Sequence, residues 1–191
     1  MSEYDDTTAD DGSQGFDQGE PGTDGGYGDP GGDGTTIVAQ GDDGSTTYVV
    51  DHDGDGYADL VAVDSDSDGT IDRAFVDSDH DGQLDTVLVD ADDDGTVDTQ
   101  YADTDGDGRI DYVARDANED GQIDAIVADT DHDGVADTWV KDTDYDGQAD
   151  AVVRDADQDG QVDSVTQDTD HDGTLDTVTY VDPDANPYAA R

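Results

Sequence analysis

The chain has 191 residues and carries 55 acidic groups against 6 basic ones, a formal net charge of -49. That excess excludes nucleic-acid binding by phosphate neutralisation. With 31% apolar residues and a mean hydropathy of -0.86 the chain cannot hold a conventional packed core throughout, and with no cysteine the crosslink left to stiffen it is oxygen-coordinated metal.

The acidity is lopsided: 52 Asp but only 3 Glu (Glu3, Glu20 and Glu119). Asp is one methylene shorter than Glu and bonds readily to nearby backbone, which suits tight loops. Residues 1–34 are polar and rich in Gly and Asp, with no Lys or Arg, and are expected to form a disordered acidic tail. They hold neither the basic start nor the apolar stretch of a secretory signal, and no later stretch approaches the length of a membrane span. Residues 35–50 hold two strand-like runs, TTIVA and TTYVV, around a shortened QGDDGS loop, the pattern of a degenerate amino-terminal cap.

From residue 51 to residue 180 the chain repeats with a period of 13, in ten units that follow DxDxDGxxDxxxx. Position 1 is Asp51, Asp64, Asp77, Asp90, Asp103, Asp116, Asp129, Asp142, Asp155 and Asp168. Position 3 is Asp53, Asp66, Asp79, Asp92, Asp105, Asn118, Asp131, Asp144, Asp157 and Asp170. Position 5 is Asp55, Asp68, Asp81, Asp94, Asp107, Asp120, Asp133, Asp146, Asp159 and Asp172. Position 9 is Asp59, Asp72, Asp85, Asp98, Asp111, Asp124, Asp137, Asp150, Asp163 and Asp176. Chance at this composition would place roughly 11 Asp in those forty places; the chain places 39.

Position 8 is apolar in every unit and position 11 in all but the fourth, where Gln100 stands, so these two rows are the expected core. Position 13 turns polar from Arg115 onward apart from Ala128 and Tyr180, and is expected at an edge. The stretch after each Gly is short and rich in Val, Thr and Ile, which favours strand, and a Gly every 13 residues would break a continuous helix. Residues 181–191 begin another loop at Asp182, Asp184 and Asn186, but Pro187 stands where Gly belongs; this is the expected carboxy-terminal cap.

Asp at 1, 3 and 5, Gly at 6 and Asp at 9 match the first nine residues of a calcium loop, with alternate side chains turned inward, Gly allowing the sharp turn and the carbonyl at position 7 adding an oxygen. Hard oxygen ligands in a flexible cage suit Ca²⁺ over Mg²⁺, and Asn118 keeps an oxygen while losing the charge. The loop resembles the EF-hand, and more closely the DxDxDGxxD loops of dockerins, thrombospondin type 3 repeats and FG-GAP or VCBS blades; Asp51 to Val63, DHDGDGYADLVAV, is very like a propeller loop running into a strand. The bidentate Glu at position 12 of a helix-loop-helix EF-hand is missing, as are the long blades of a propeller, the cysteines of thrombospondin repeats and the GGxGxD motif of the RTX β-roll, which is the nearest architectural analogy. These resemblances imply about ten bound Ca²⁺.

Four carboxylates at about 5 Å repel by roughly 3 kcal/mol per pair at an effective dielectric of ~20, so empty loops should open and folding should be coupled to binding. The expected fold is all-β, a calcium-stabilised parallel β-solenoid, or β-roll, of ten 13-residue repeats. A coil of 26 residues is favoured over one of 13, because a loop of this kind reverses the chain and a 13-residue coil needs a second corner that no Gly or Pro marks. His52, His80, His132 and His171 occupy loop positions 2 or 4 and are expected to be exposed, and Trp139 at position 11 is expected to pack.

No nucleophile paired with a base stands outside the repeat, so no enzyme is expected. Thr is scattered over positions 2, 7 and 10 rather than aligned in a flat row, which leaves ice binding behind two other readings. The first is a structural or interaction module, engaging a protein or surface partner, that becomes rigid on binding calcium. The second is a calcium store or mineral-interacting protein. Calcium-dependent folding favours an extracellular or cell-surface site reached by a leaderless route, with the cytoplasm as the alternative.

Overall fold

The computed structural model describes residues 34–182. The expected tail up to residue 33 and residues 183–191 of the expected carboxy-terminal cap lie outside the described residues. The described chain is all-β, with the strands β1 (Thr35–Gln40), β2 (Thr46–Asp51), β3 (Leu60–Asp64), β4 (Arg73–Val76), β5 (Thr86–Val89), β6 (Thr99–Ala102), β7 (Tyr112–Arg115), β8 (Ala125–Ala128), β9 (Thr138–Lys141), β10 (Ala151–Arg154), β11 (Ser164–Gln167) and β12 (Thr177–Tyr180). From β4 onward each strand occupies positions 10 to 13 of its unit, the β-branched and apolar stretch. The shortened QGDDGS loop closes the β1–β2 hairpin, with the Gly41 amide donating to the Ser45 carbonyl at 2.8 Å.

The strands form one sheet in strict sequence order, β1 to β12, and every neighbouring pair is antiparallel. This corrects the expected parallel coil. A parallel connection needs a crossover of about a dozen residues or more, whereas positions 1 to 9 form a compact loop that returns the chain beside the strand it has just left. The 26-residue period survives in another form. After two units the chain is back at the same edge, running the same way, so odd-numbered loops line one edge and even-numbered loops the other. At ~4.8 Å per strand, successive loops along an edge are about 9.6 Å apart.

The register pairs position 10 with position 13 and position 11 with position 12, as in Leu60 with Val76 and Val61 with Phe75, and it holds to Ser164 with Tyr180 at the far end. The ladder runs past each strand: the Asp72 amide donates to the Val63 carbonyl at 3.0 Å, and the Asp77 amide to the Asp59 carbonyl at 2.9 Å. Directly opposed residues share a face. Val61, Phe75, Val87, Tyr101, Val113, Val127, Trp139, Val153 and Val165 therefore make a continuous ridge on one face.

The core differs from the one expected. Position 11 is half-buried along most of the sheet, but at position 8 Leu84, Val97, Ile110, Ile123 and Leu175 are 36 to 49% exposed. Position 8 lies in the loop just before the strand, where a single-layered sheet offers it no opposing layer. Among the described residues the buried apolar ones are Ala62, Ala102 and Ala114, all on the face opposite the ridge, and no large side chain is fully buried. The other buried residues are three threonines, Thr46, Thr86 and Thr138, and twelve aspartates. The interior of this fold is lined with carboxylates.

Candidate metal centres

All twelve buried aspartates are ligand-position residues. Eight stand at position 1, from Asp64 to Asp168, and Asp124, Asp137, Asp150 and Asp163 stand at position 9. These two positions flank each strand, where the ladder holds the backbone and turns the side chains under the loop.

The third loop illustrates the cage. Asp77 accepts the His80 amide at 2.7 Å on Oδ1 and the Gly82 amide at 2.8 Å on Oδ2. Asp79 Oδ1 accepts the Asp81 amide at 3.1 Å, Asp81 Oδ1 accepts the Gln83 amide at 2.8 Å, and Asp85 Oδ2 accepts the Ser78 amide at 3.1 Å. Each carboxylate thus folds its own stretch of loop through turns that short Asp side chains form and Glu forms poorly. The glycine at position 6 has positive φ, +90° at Gly82, a conformation that side chains disfavour.

The same bonds gather carboxylate oxygens. Asp51, Asp53 and Asp55 of the first loop, Asp64, Asp66 and Asp68 of the second, and Asp77, Asp79 and Asp81 of the third each offer ligand oxygens within 4.8 Å of one another. Position 9 has a different local task from the one the calcium-loop pattern implies. Its carboxylate reaches back to the start of its own loop, with Asp124 Oδ2 accepting the Ala117 amide at 2.6 Å and the Asn118 amide at 3.1 Å. Hydroxyls often join it: Ser78 Oγ donates to Asp85 Oδ1 at 2.6 Å and Thr130 Oγ1 to Asp137 Oδ1 at 2.9 Å.

Among the described residues three buried carboxylate oxygens lack a hydrogen-bond partner, Asp93 Oδ1 at position 4 and two at ligand positions, and those two test whether a cation fits. Asp124 Oδ1, at position 9 of the sixth loop, and Asp155 Oδ1, at position 1 of the ninth, are buried without a hydrogen-bond partner, in residues 5% and 6% exposed. A buried unpaired carboxylate oxygen is costly, and an oxygen-seeking dication would satisfy both. The residues present fit such an ion.

Sequence reasoning missed position 4. In eight units it is a non-glycine residue with positive φ, between 55° and 67°, and several of these side chains lie against the loop two units earlier on the same edge. Gln158 Nε2 donates to Asp131 Oδ1 at 2.9 Å. His132 Nδ1 lies 2.9 Å from Asp111 Oδ2 and 3.7 Å from Asp105 Oδ2, and His171 Nδ1 lies 3.0 Å from Asp150 Oδ1 and 3.1 Å from Asp144 Oδ2. These two histidines are partly exposed as expected, but they bridge loops. The signal was a 27-residue offset between positions 4 and 3, which has meaning only once loops are known to alternate between edges.

The electrostatics follow this contact. Partial burial, then the carboxylates of Asp68, Asp66 and Asp72, push Asp93 up to about 6. Glu119 is raised by Asp92 and, after it, by burial and by Asp98 and Asp94. Both are position-4 acids facing a loop already full of negative charge. His132 is raised chiefly by its hydrogen bond to Asp111, and His171 chiefly by the charge of Asp150. Family models, curated proteins and solved structures contain no match to this chain.

Proposed function

We propose that this chain is a calcium-binding repeat module that becomes rigid on binding about one Ca²⁺ per 13-residue unit, and that its role is structural or adhesive rather than catalytic. The observation that carries the reading is the set of twelve aspartates buried where another protein would place Leu or Val. Like charges packed this closely oppose folding, and dications held by side-chain oxygens reverse the sign of that interaction. The hydrophobic contribution is too small to supply the difference, since among the described residues the buried apolar side chains are three alanines.

At a dissociation constant of about 10⁻⁴ M and about 1 mM calcium, each site contributes roughly 1.4 kcal/mol, or about 14 for ten. At sub-micromolar calcium almost none of it remains, which favours an extracellular setting. Among the described residues no helix is long and apolar enough to cross a membrane.

Circular dichroism with calcium and with chelator, alongside equilibrium dialysis, tests the proposal. The expected result is a strand spectrum that appears cooperatively near millimolar calcium with about ten ions bound. High capacity with no spectral change would instead favour a calcium store, and identical spectra with no binding would overturn both readings.

A further inference from the structure

His132 and His171 place an imidazole between two carboxylates of a neighbouring loop, three units apart in sequence and on opposite edges of the sheet. In each case the partners are positions 3 and 9 of the loop two units earlier: Asp105 and Asp111 for His132, Asp144 and Asp150 for His171. The three ligand atoms of each group lie within 4.8 Å of one another. Zinc with ligands at 2.0 to 2.1 Å in a tetrahedron sets neighbouring ligand atoms about 3.3 Å apart. The observed nitrogen to oxygen separations, 2.9 and 3.7 Å at His132 and 3.1 and 3.0 Å at His171, bracket or approach that value.

We propose that these are two mixed imidazole and carboxylate sites for a transition-metal dication of the Zn²⁺ class, each adding one imidazole to two carboxylates of an all-oxygen loop, so that Zn²⁺ competes with Ca²⁺ for Asp105 and Asp111 of the fifth loop and for Asp144 and Asp150 of the eighth. Imidazole nitrogen is a ligand that Ca²⁺ passes over and Zn²⁺ favours. Each site also has the supporting layer that metal ligands need. The Thr104 hydroxyl donates to Asp111 Oδ1 at 2.8 Å, and the Thr143 amide donates to Asp150 Oδ2 at 2.6 Å, which orients the remaining oxygen toward the ring. At the equivalent place in the ninth unit Gln158 meets Asp131 through an amide, so the same scaffold carries both a metal-binding and a non-metal version of one contact.

The test measures Zn²⁺ bound to the full chain by calorimetry and equilibrium dialysis, in saturating calcium and again in its absence, with Co²⁺ as a spectroscopic probe. His132→Gln and His171→Gln are the informative variants, because Gln already occupies this position in the ninth unit, and circular dichroism in calcium reports whether each remains folded. Two tight Zn²⁺ in the native chain, one in each single variant and none in the double variant, with Co²⁺ absorption falling in step, is the expected result. Tight Zn²⁺ binding that is unchanged in the double variant, or none in the folded native chain, overturns the proposal. The outcome is distinguishable from failure of the calcium reading: a chain that ignores calcium yet takes two histidine-dependent Zn²⁺ loses only the earlier proposal, and a chain that folds with calcium and takes no Zn²⁺ loses only this one.

Discussion

Asp116, 3% exposed, and Ala114, fully buried, lie two residues apart at the end of β7, and together they state the rule of this fold at the residue scale: the apolar side chains that are buried are small, and the buried carboxylates stand at the margins of the sheet. Ala114 lies opposite Ile126 in the adjacent strand and is completely shielded from solvent. Ala114→Leu should cost about 1–3 kcal/mol by overpacking, seen as a lower thermal midpoint in calcium. Asp93 gives the residue-scale pH dependence. Its folded pKa of about 6 lies above the ordinary value of 3.8, so the folded state binds the extra proton between those limits and stability falls as pH rises through them. Asp93→Asn removes the repelling charge and tolerates positive φ. It should lower the calcium needed for half-folding at pH 7.5, and the difference from the native chain should close near pH 4, as read by ellipticity during calcium titration.

At the scale of elements, the unit of the fold is two repeats. A single 13-residue unit reverses the chain; a second restores its direction, its edge and its face. Deleting residues 116–128 would place Trp139 opposite Ala114 and part His132 from the fifth loop, because every later strand exchanges faces and every later loop exchanges edges. Deleting 116–141 would set Val152 opposite Ala114 and leave later strands on their present faces. The longer deletion should therefore melt closer to the native chain than the shorter one, and a calorimetric ranking in the opposite order would contradict the two-repeat unit. The strand assignments were legible in sequence, since positions 10 to 13 combine β-branched residues with a Gly-marked turn. The exposure of position 8 was not, because an apolar row in a loop looks the same whether or not a second layer covers it.

For the whole molecule, the formal charge of -49 is the dominant quantity. In chelator, lowering the pH from 7 to about 4 protonates carboxylates near their ordinary values and relieves their repulsion. Circular dichroism should accordingly show strand signal returning on acidification without calcium. Once calcium is saturating, the same acidification should reduce the signal, because ligand carboxylates must be ionised to hold the metal. The two titrations run in opposite directions, which separates a metal-dependent fold from a chain that only avoids its own charge.

The sequence by itself determined the 13-residue unit, the all-β class and the positions where carboxylates gather, because each depends on residues within about ten of one another: Asp turns, a glycine at positive φ and a short β-branched stretch. Tertiary structure alone decided that the strands run antiparallel in one sheet, that position 1 is buried in eight units and position 9 in four, and that position 4 of one loop lies on the loop two units earlier. Those properties depend on which residues the reversal brings together across 18 to 27 positions, as Asp59 meets Asp77 through backbone and Asp131 meets Gln158 through side chains. Such distances are set by the path of the chain through space, and local conformational preference does not encode them.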